Sequence, residues 1–157
     1  YRNGNLDIKS NTNGKRLTLT GTIYVTGQLT IGGAKDFELN LNGQTIYCDY
    51  TGTGDAINID YKCTFKIGSG CIIARGDIFF GPKTASAPPY PFVFVMSVVG
   101  EVKLNPLGDF YGSVAGNAEV TIQPGYWLRW MSPPGDLNFV YGPAATKYWQ
   151  MQTYTIL

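Results

Sequence analysis

The sequence predicts an all-β protein wound as a short β-solenoid, with a Pro-rich loop and an aromatic-rich C-terminal cap. Three observations carry this. First, apolar Phe37, Leu39 and Leu41 alternate with polar Glu38, Asn40 and Asn42 up to an Asn42-Gly43 turn, the pattern of a strand with one face inside. Second, the form recurs: Leu41 repeats Leu19, and Gly43 repeats Gly21, at one and the same offset along the chain. Such a period, roughly 22 residues, is one coil of a solenoid, in which no single coil buries its apolar face alone. Third, the 157 residues include 20 Gly and 14% aromatics, many Thr and Val, and no sustained helical-period apolar stripe, so helix is not expected.

Along the chain, the polar opening Tyr1 to Gly14 suits a linker or docking arm. Residues 15 to 128 form the predicted β-helix. From Leu17 to Ala74, short strands alternate with corners at Gly27, Gly32-Gly33, Gly43, Gly52 to Gly54 and Gly68 to Gly70, where glycine accepts positive φ. Asp77 to Phe80 is a further strand. Gly81 to Pro91 is Pro-rich, cannot pair as a central strand, and is expected as an exposed, extended loop. Phe92 to Val99 is almost wholly apolar, which predicts a strand covered on both faces. Glu101 to Leu104 resumes strand character. In Glu119 to Leu128, Val120, Ile122 and Gly125 echo Leu39, Leu41 and Gly43. Residues 129 to 157 leave this rhythm, are rich in Trp, Tyr, Phe and Pro, and are expected to cap the solenoid or fill an interface.

Composition excludes several function classes. Twelve basic and 11 acidic residues give a net charge of +1, and no basic run exceeds Lys15-Arg16, so a nucleic-acid footprint is not supported. No stretch reaches the roughly 20 continuous apolar residues of a membrane helix, and a soluble chain is expected. Beginning at Tyr1 without a signal-peptide pattern, it reads as a processed product or part of a longer chain. Cys48, Cys63 and Cys71 are odd in number, show no C-x-x-C pairing, and have no His to complete a zinc site. Buried free thiols are the simpler reading, with one disulfide plus a free thiol left open. No cofactor or metal is implied.

The run Asn40-Leu-Asn-Gly-Gln-Thr-Ile46, followed by Gly54-Asp-Ala-Ile-Asn-Ile59 and Phe65-Lys-Ile-Gly-Ser-Gly70, resembles the pectin-lyase-like right-handed parallel β-helix. The likeness covers about Leu17 to Ala74. It implies a fold shared by polysaccharide lyases and hydrolases and by the trimeric tail spikes and fibres of bacteriophages, which bind or cut surface glycans. The catalytic elements of polygalacturonase-like members do not carry over: Gly54-Asp55-Ala56 keeps one carboxylate, and there is no His. Nor does Arg75, with only Asp77 close in sequence, stand beside a calcium-binding acidic cluster.

A catalytic alternative rests on Asp55 and Asp77, which are separated by one such period. Adjacent rungs about 4.8 Å apart would bring them near the roughly 5 to 5.5 Å separation of a retaining glycosidase pair. Against it, an Asp after Gly at a corner commonly makes a local turn bond, and Asp77 has Arg75 beside it. Glu101 is the third acid considered. For binding, Trp127, Arg129 and Trp130 in Tyr126-Trp-Leu-Arg-Trp130, together with Tyr90 in the Pro-rich loop, offer rings that stack on sugar faces and donors for hydroxyls. Capping or subunit packing is the competing use of the same rings.

The expected function is therefore a structural or receptor-binding module of a tail-spike-like or fibre-like virion protein, located on a virion or extracellular surface. It would contact a host glycan or a neighbouring virion protein. A homo-oligomer, a trimer first, would cover the apolar strand Phe92 to Val99. A small polysaccharide-degrading enzyme and a microbial surface or filament subunit are the alternatives.

Overall fold

The computed structural model describes residues 1–135. Sixteen short strands and no helix occupy this range: β1 (Leu6–Ile8), β2 (Lys15–Thr18), β3 (Ile23–Val25), β4 (Leu29–Ile31), β5 (Phe37–Asn40), β6 (Thr45–Cys48), β7 (Ile57–Ile59), β8 (Cys63–Phe65), β9 (Gly70–Ala74), β10 (Ile78–Phe80), β11 (Lys83–Thr84), β12 (Val93–Ser97), β13 (Val102–Leu104), β14 (Phe110–Gly116), β15 (Val120–Ile122) and β16 (Leu128–Arg129). All pairings are parallel. Three sheets result: a first in the order β1-β4-β7-β10-β13-β15, a second β11-β8-β5-β2, and a third β16-β14-β12-β9-β6-β3. Each of the first four coils visits the first, second and third sheet in turn, and after β12 the chain passes from the first sheet to the third without a second-sheet strand, giving a parallel β-solenoid of about five turns. Residues 136–157, including the alternating run that begins at Trp149, lie outside the described residues.

Alternation dictates the inward columns. In the first sheet Leu29, Ile57, Ile78 and Val102 stack in register, as do Ile31, Ile59, Phe80 and Leu104, and all are essentially inaccessible. Leu39 and Phe65 from the second sheet and Ile46, Ile72 and Val95 from the third meet them in one core. Phe65, Phe80 and Phe110 continue it as an aromatic column with centroids about 5.5 Å apart. At the last rung Val120 and Ile122 are in register with buried Val102 and Leu104, yet are 36% and 44% exposed.

The repeat read from the sequence holds between β2 and β5, where Leu17 pairs Leu39. Elsewhere the step is shorter, as from Val102 to Val120, or longer, as from Leu29 to Ile57. Corners absorb insertions because only the strands must match. For the same reason Val120 and Ile122 belong to the first sheet, whereas of Leu39 and Leu41, which they echo in sequence, Leu39 lies in the second-sheet strand β5 and Leu41 directly after it. The Asn42-Gly43 turn forms as read, with both residues at positive φ (50° and 76°) and the Gln44 amide donating to the Leu41 carbonyl.

Two segments differ from expectation. The polar opening supplies β1, paired along its length with β4, because Leu6 and Ile8 reach the same inward columns as Leu29 and Ile31. The Pro-rich segment, expected as an unpaired loop, contributes β11 at the edge of the second sheet, with Lys83 opposite Thr64 and Thr84 opposite Phe65. Pro82 and Pro88 flank that strand, so no proline sits in the ladder, and within the segment only residues 86–89 are exposed.

Strand β12 is largely covered on both faces, as its composition requires. Its outer face joins Tyr47, Cys71, Ile73, Phe92 and Phe94 in a second apolar cluster, with Met96, Val98 and Met131 against it. Most of this strand is buried within one chain, Phe94 being 8% exposed and Ile73 inaccessible, while Met96 is half-buried. Stacked rings of Tyr1, Tyr24 and Tyr47, with centroids 5.3 and 5.4 Å apart, extend the outer face, and the Tyr24 and Tyr47 hydroxyls donate to Asp49. Cys48, Cys63 and Cys71 are free and buried; the Cys48 thiol donates to the Gly27 and Ala56 carbonyls.

Candidate functional site

The last two third-sheet strands build a polar and aromatic surface at the C-terminal rungs. In β14 Phe110 turns inward, which places Tyr111 outward. Strand β16 pairs Leu128 with Phe110 and Arg129 with Tyr111, so Arg129 stands one rung beyond Tyr111 on the same face. Tyr90, at the end of the Pro-rich segment, lies flat on Tyr111 with centroids 3.8 Å apart and planes 8° from parallel. A hydrogen bond with Tyr90, then burial, raises the Tyr111 hydroxyl pKa above its ordinary value.

Asp109 organises the edge of this surface. Its Oδ2 accepts from Arg129 Nε at 2.6 Å and its Oδ1 accepts from the Trp127 amide at 3.2 Å. The bond to Arg129 holds the Asp109 carboxyl below the usual carboxylate range, and Arg129 is raised in return. Since Nε is the engaged atom, the fork of Arg129 still presents its terminal nitrogens. Trp127 and Trp130 are 70% and 69% exposed. On the other side of Tyr90 a cleft of about 330 Å³ is lined by Asn42, Gly43, Ile67, Ser69, Tyr90 and Pro134. Ring faces, N–H donors and phenolic hydroxyls thus occur on one surface, the combination that packs on sugar rings and bonds their hydroxyls.

Of the residues the sequence singles out, Tyr90 and Arg129 are brought together through Tyr111, and Trp127 joins them through its backbone. Trp130 lies just beyond β16. Tyr111 and Asp109 escaped sequence reading, because the step from Phe110-Tyr111 to Leu128-Arg129 is shorter than the repeat seen earlier in the chain. The equally short step between Val102 and Val120 was the available signal.

The acids of the catalytic alternative gather elsewhere, at the corner between the third and first sheets. Ile78 pairs Ile57, so Asp77 is level with Ala56 and its carbonyl accepts the Ala56 amide at 2.7 Å. Asp55 therefore lies one position out of the register that the sequence spacing suggested. Asp55 Oδ2 accepts from Asn58 Nδ2 at 2.8 Å, and Asp77 Oδ1 from the Glu101 amide at 2.9 Å. Glu101 pairs with Lys103 Nζ at 2.5 Å, which raises the Lys103 pKa, with Asp55 and Asp77 adding to the effect. These are the corner bonds expected of Asp beside Gly. Among the described residues no group of three or more His, Cys, Asp or Glu is placed to hold a metal, and no helix is long and apolar enough to cross a membrane. No family model, curated protein or solved structure matches this chain, so its site is read from its own geometry.

Proposed function

We propose that this chain is a rigid structural or receptor-binding module of a spike-like or fibre-like virion protein, displayed on a virion or extracellular surface, whose C-terminal rungs contact a host surface glycan. The single observation that supports this most is the Tyr90, Tyr111 and Arg129 surface with exposed Trp127 at its edge, locked by Asp109. The role is geometric: ladder hydrogen bonds between parallel strands make the stalk stiff, and the aromatic end supplies contact. Side-by-side association of copies belongs to the same reading, through surfaces other than the largely buried strand β12.

Binding of the purified chain to an array of bacterial capsule and lipopolysaccharide glycans tests it. Binding is expected without release of reducing sugar, and Trp127→Ala is expected to weaken it about tenfold, the loss of roughly 1.4 kcal/mol of ring contact. Absence of binding to every glycan on the array would sink this reading. Release of reducing sugar that Asp55→Asn abolishes would replace it with the polysaccharide-degrading enzyme.

A further inference from the structure

Charges that are dispersed along the sequence are segregated by the fold. Lys35, Lys62, Lys66 and Lys83 join Lys15 and Arg16 along the second sheet and its margins, against Asp36, Glu38 and Asp60. Asp55, Asp77, Glu101 and Glu119 each stand just before a first-sheet strand, at the corner where the chain leaves the third sheet, with Asp49 at the same corner, against Lys103 and Arg75, the latter paired with Asp49. Each group carries an excess of three charges of one sign in a chain whose net charge is +1. Because the second sheet lies between the first and the third along each of the first four coils, the corner between the third and first sheets lies across the core from the basic side.

Internal pairing leaves part of each group unanswered. Arg16 pairs Glu38, Lys62 and Lys83 share Asp36, and Lys103 takes Glu101. Lys15, Lys66 and Glu119 enter no ion pair among the described residues, while Asp55 and Asp77 accept from neutral donors. Both groups also have the same length. The cations span β2 to β11 and the acids β7 to β15, three strand steps or about 14 Å along the axis in each case.

We infer that a second copy of this chain docks its acidic corner along the basic second-sheet side of the first, with solenoid axes parallel. The contact is heterologous, and because the two flanks oppose each other across the core, each added copy presents the same flank to the next. A row is therefore formed, not a closed three-membered ring. Rim charges set orientation and encounter rate more than affinity, so the contact is weak and salt-sensitive. It is independent of what the aromatic end binds.

Sedimentation velocity of the whole chain, at low salt and at about 0.5 M salt, reads it directly. The average mass is expected to rise with protein concentration at low salt and to return to 17.2 kDa at high salt. The double variant Lys15→Glu/Lys66→Glu and the double variant Glu101→Lys/Glu119→Lys are each expected to stay monomeric, and an equimolar mixture of the two to associate again. Lys15→Gln/Lys66→Gln gives the same loss without adding new charge. A monomer at every salt concentration, association untouched by either reversal, or a mixture that remains monomeric would overturn the inference.

Discussion

Asp109 is fixed at both carboxylate oxygens, one by Arg129 and one by the Trp127 amide, and this makes it the positioning residue of the aromatic surface. Its carboxyl is held low by the Arg129 bond, so the stabilisation it gives is present above the unfolded carboxyl value of about 3.9 and is lost as pH falls through the lower folded value. Tryptophan emission from the C-terminal rungs is accordingly expected to stay constant from neutral pH down to about pH 4 and to change only below it. In Asp109→Asn that acid transition should vanish; an unchanged acid transition in this variant would show that Asp109 does not organise the surface. The sequence made Trp127 and Arg129 visible through their chemistry. It left Asp109 and Tyr111 unremarked, because a carboxylate becomes significant only when the fold sets a guanidinium and an amide against its two oxygens.

At the scale of the element, alternation was sufficient to find the inward columns, since a period of two leaves one choice of buried face per strand. What alternation does not specify is how much chain each corner consumes, and so which strand lies over which. Gly112 shows how tightly the third sheet is then built. It has φ of 148°, and a Cβ there would collide with the Val93 carbonyl oxygen of the neighbouring strand. Gly112→Ala is expected to cost more than about 1 kcal/mol, because a backbone atom has no rotamer by which to move aside. Urea unfolding measures this, and a midpoint equal to that of the parent chain would refute it. The Pro-rich segment teaches the complementary lesson: two ladder positions, Lys83 and Thr84, fit directly after Pro82, which has no N–H to donate but whose carbonyl accepts the Leu107 amide.

For the whole molecule, the coils act as one body because each column runs through several of them. Cys48 and Cys63 lie in the central core and Cys71 in the outer cluster, all inaccessible to solvent. Burial raises all three thiols, Cys71 being pushed up to about 12, so the thiolate is suppressed in the folded chain. Native protein at pH 8 is therefore expected to resist alkylation, with all three sites becoming reactive together on unfolding. Mass spectrometry of partly denatured samples checks this, and single labelling under native conditions would contradict it. The sign of the linkage is that stability is full below the unfolded thiol value of about 8.5 and declines as pH rises above it.

The sequence by itself determined the parallel solenoid, its inward faces, the Asn42-Gly43 turn and the largely covered strand within Phe92 to Ser97. These depend on near neighbours in the chain, through side-chain alternation and the φ freedom of glycine. Only the tertiary structure decided the unequal coil lengths, the Tyr90–Tyr111 stack with its Asp109–Arg129 lock, and the separation of charge between the second sheet and the opposite corner. Such features join residues that are distant in the chain, as Trp127 with Asp109 and Lys83 with Asp36, and winding alone sets which of them meet.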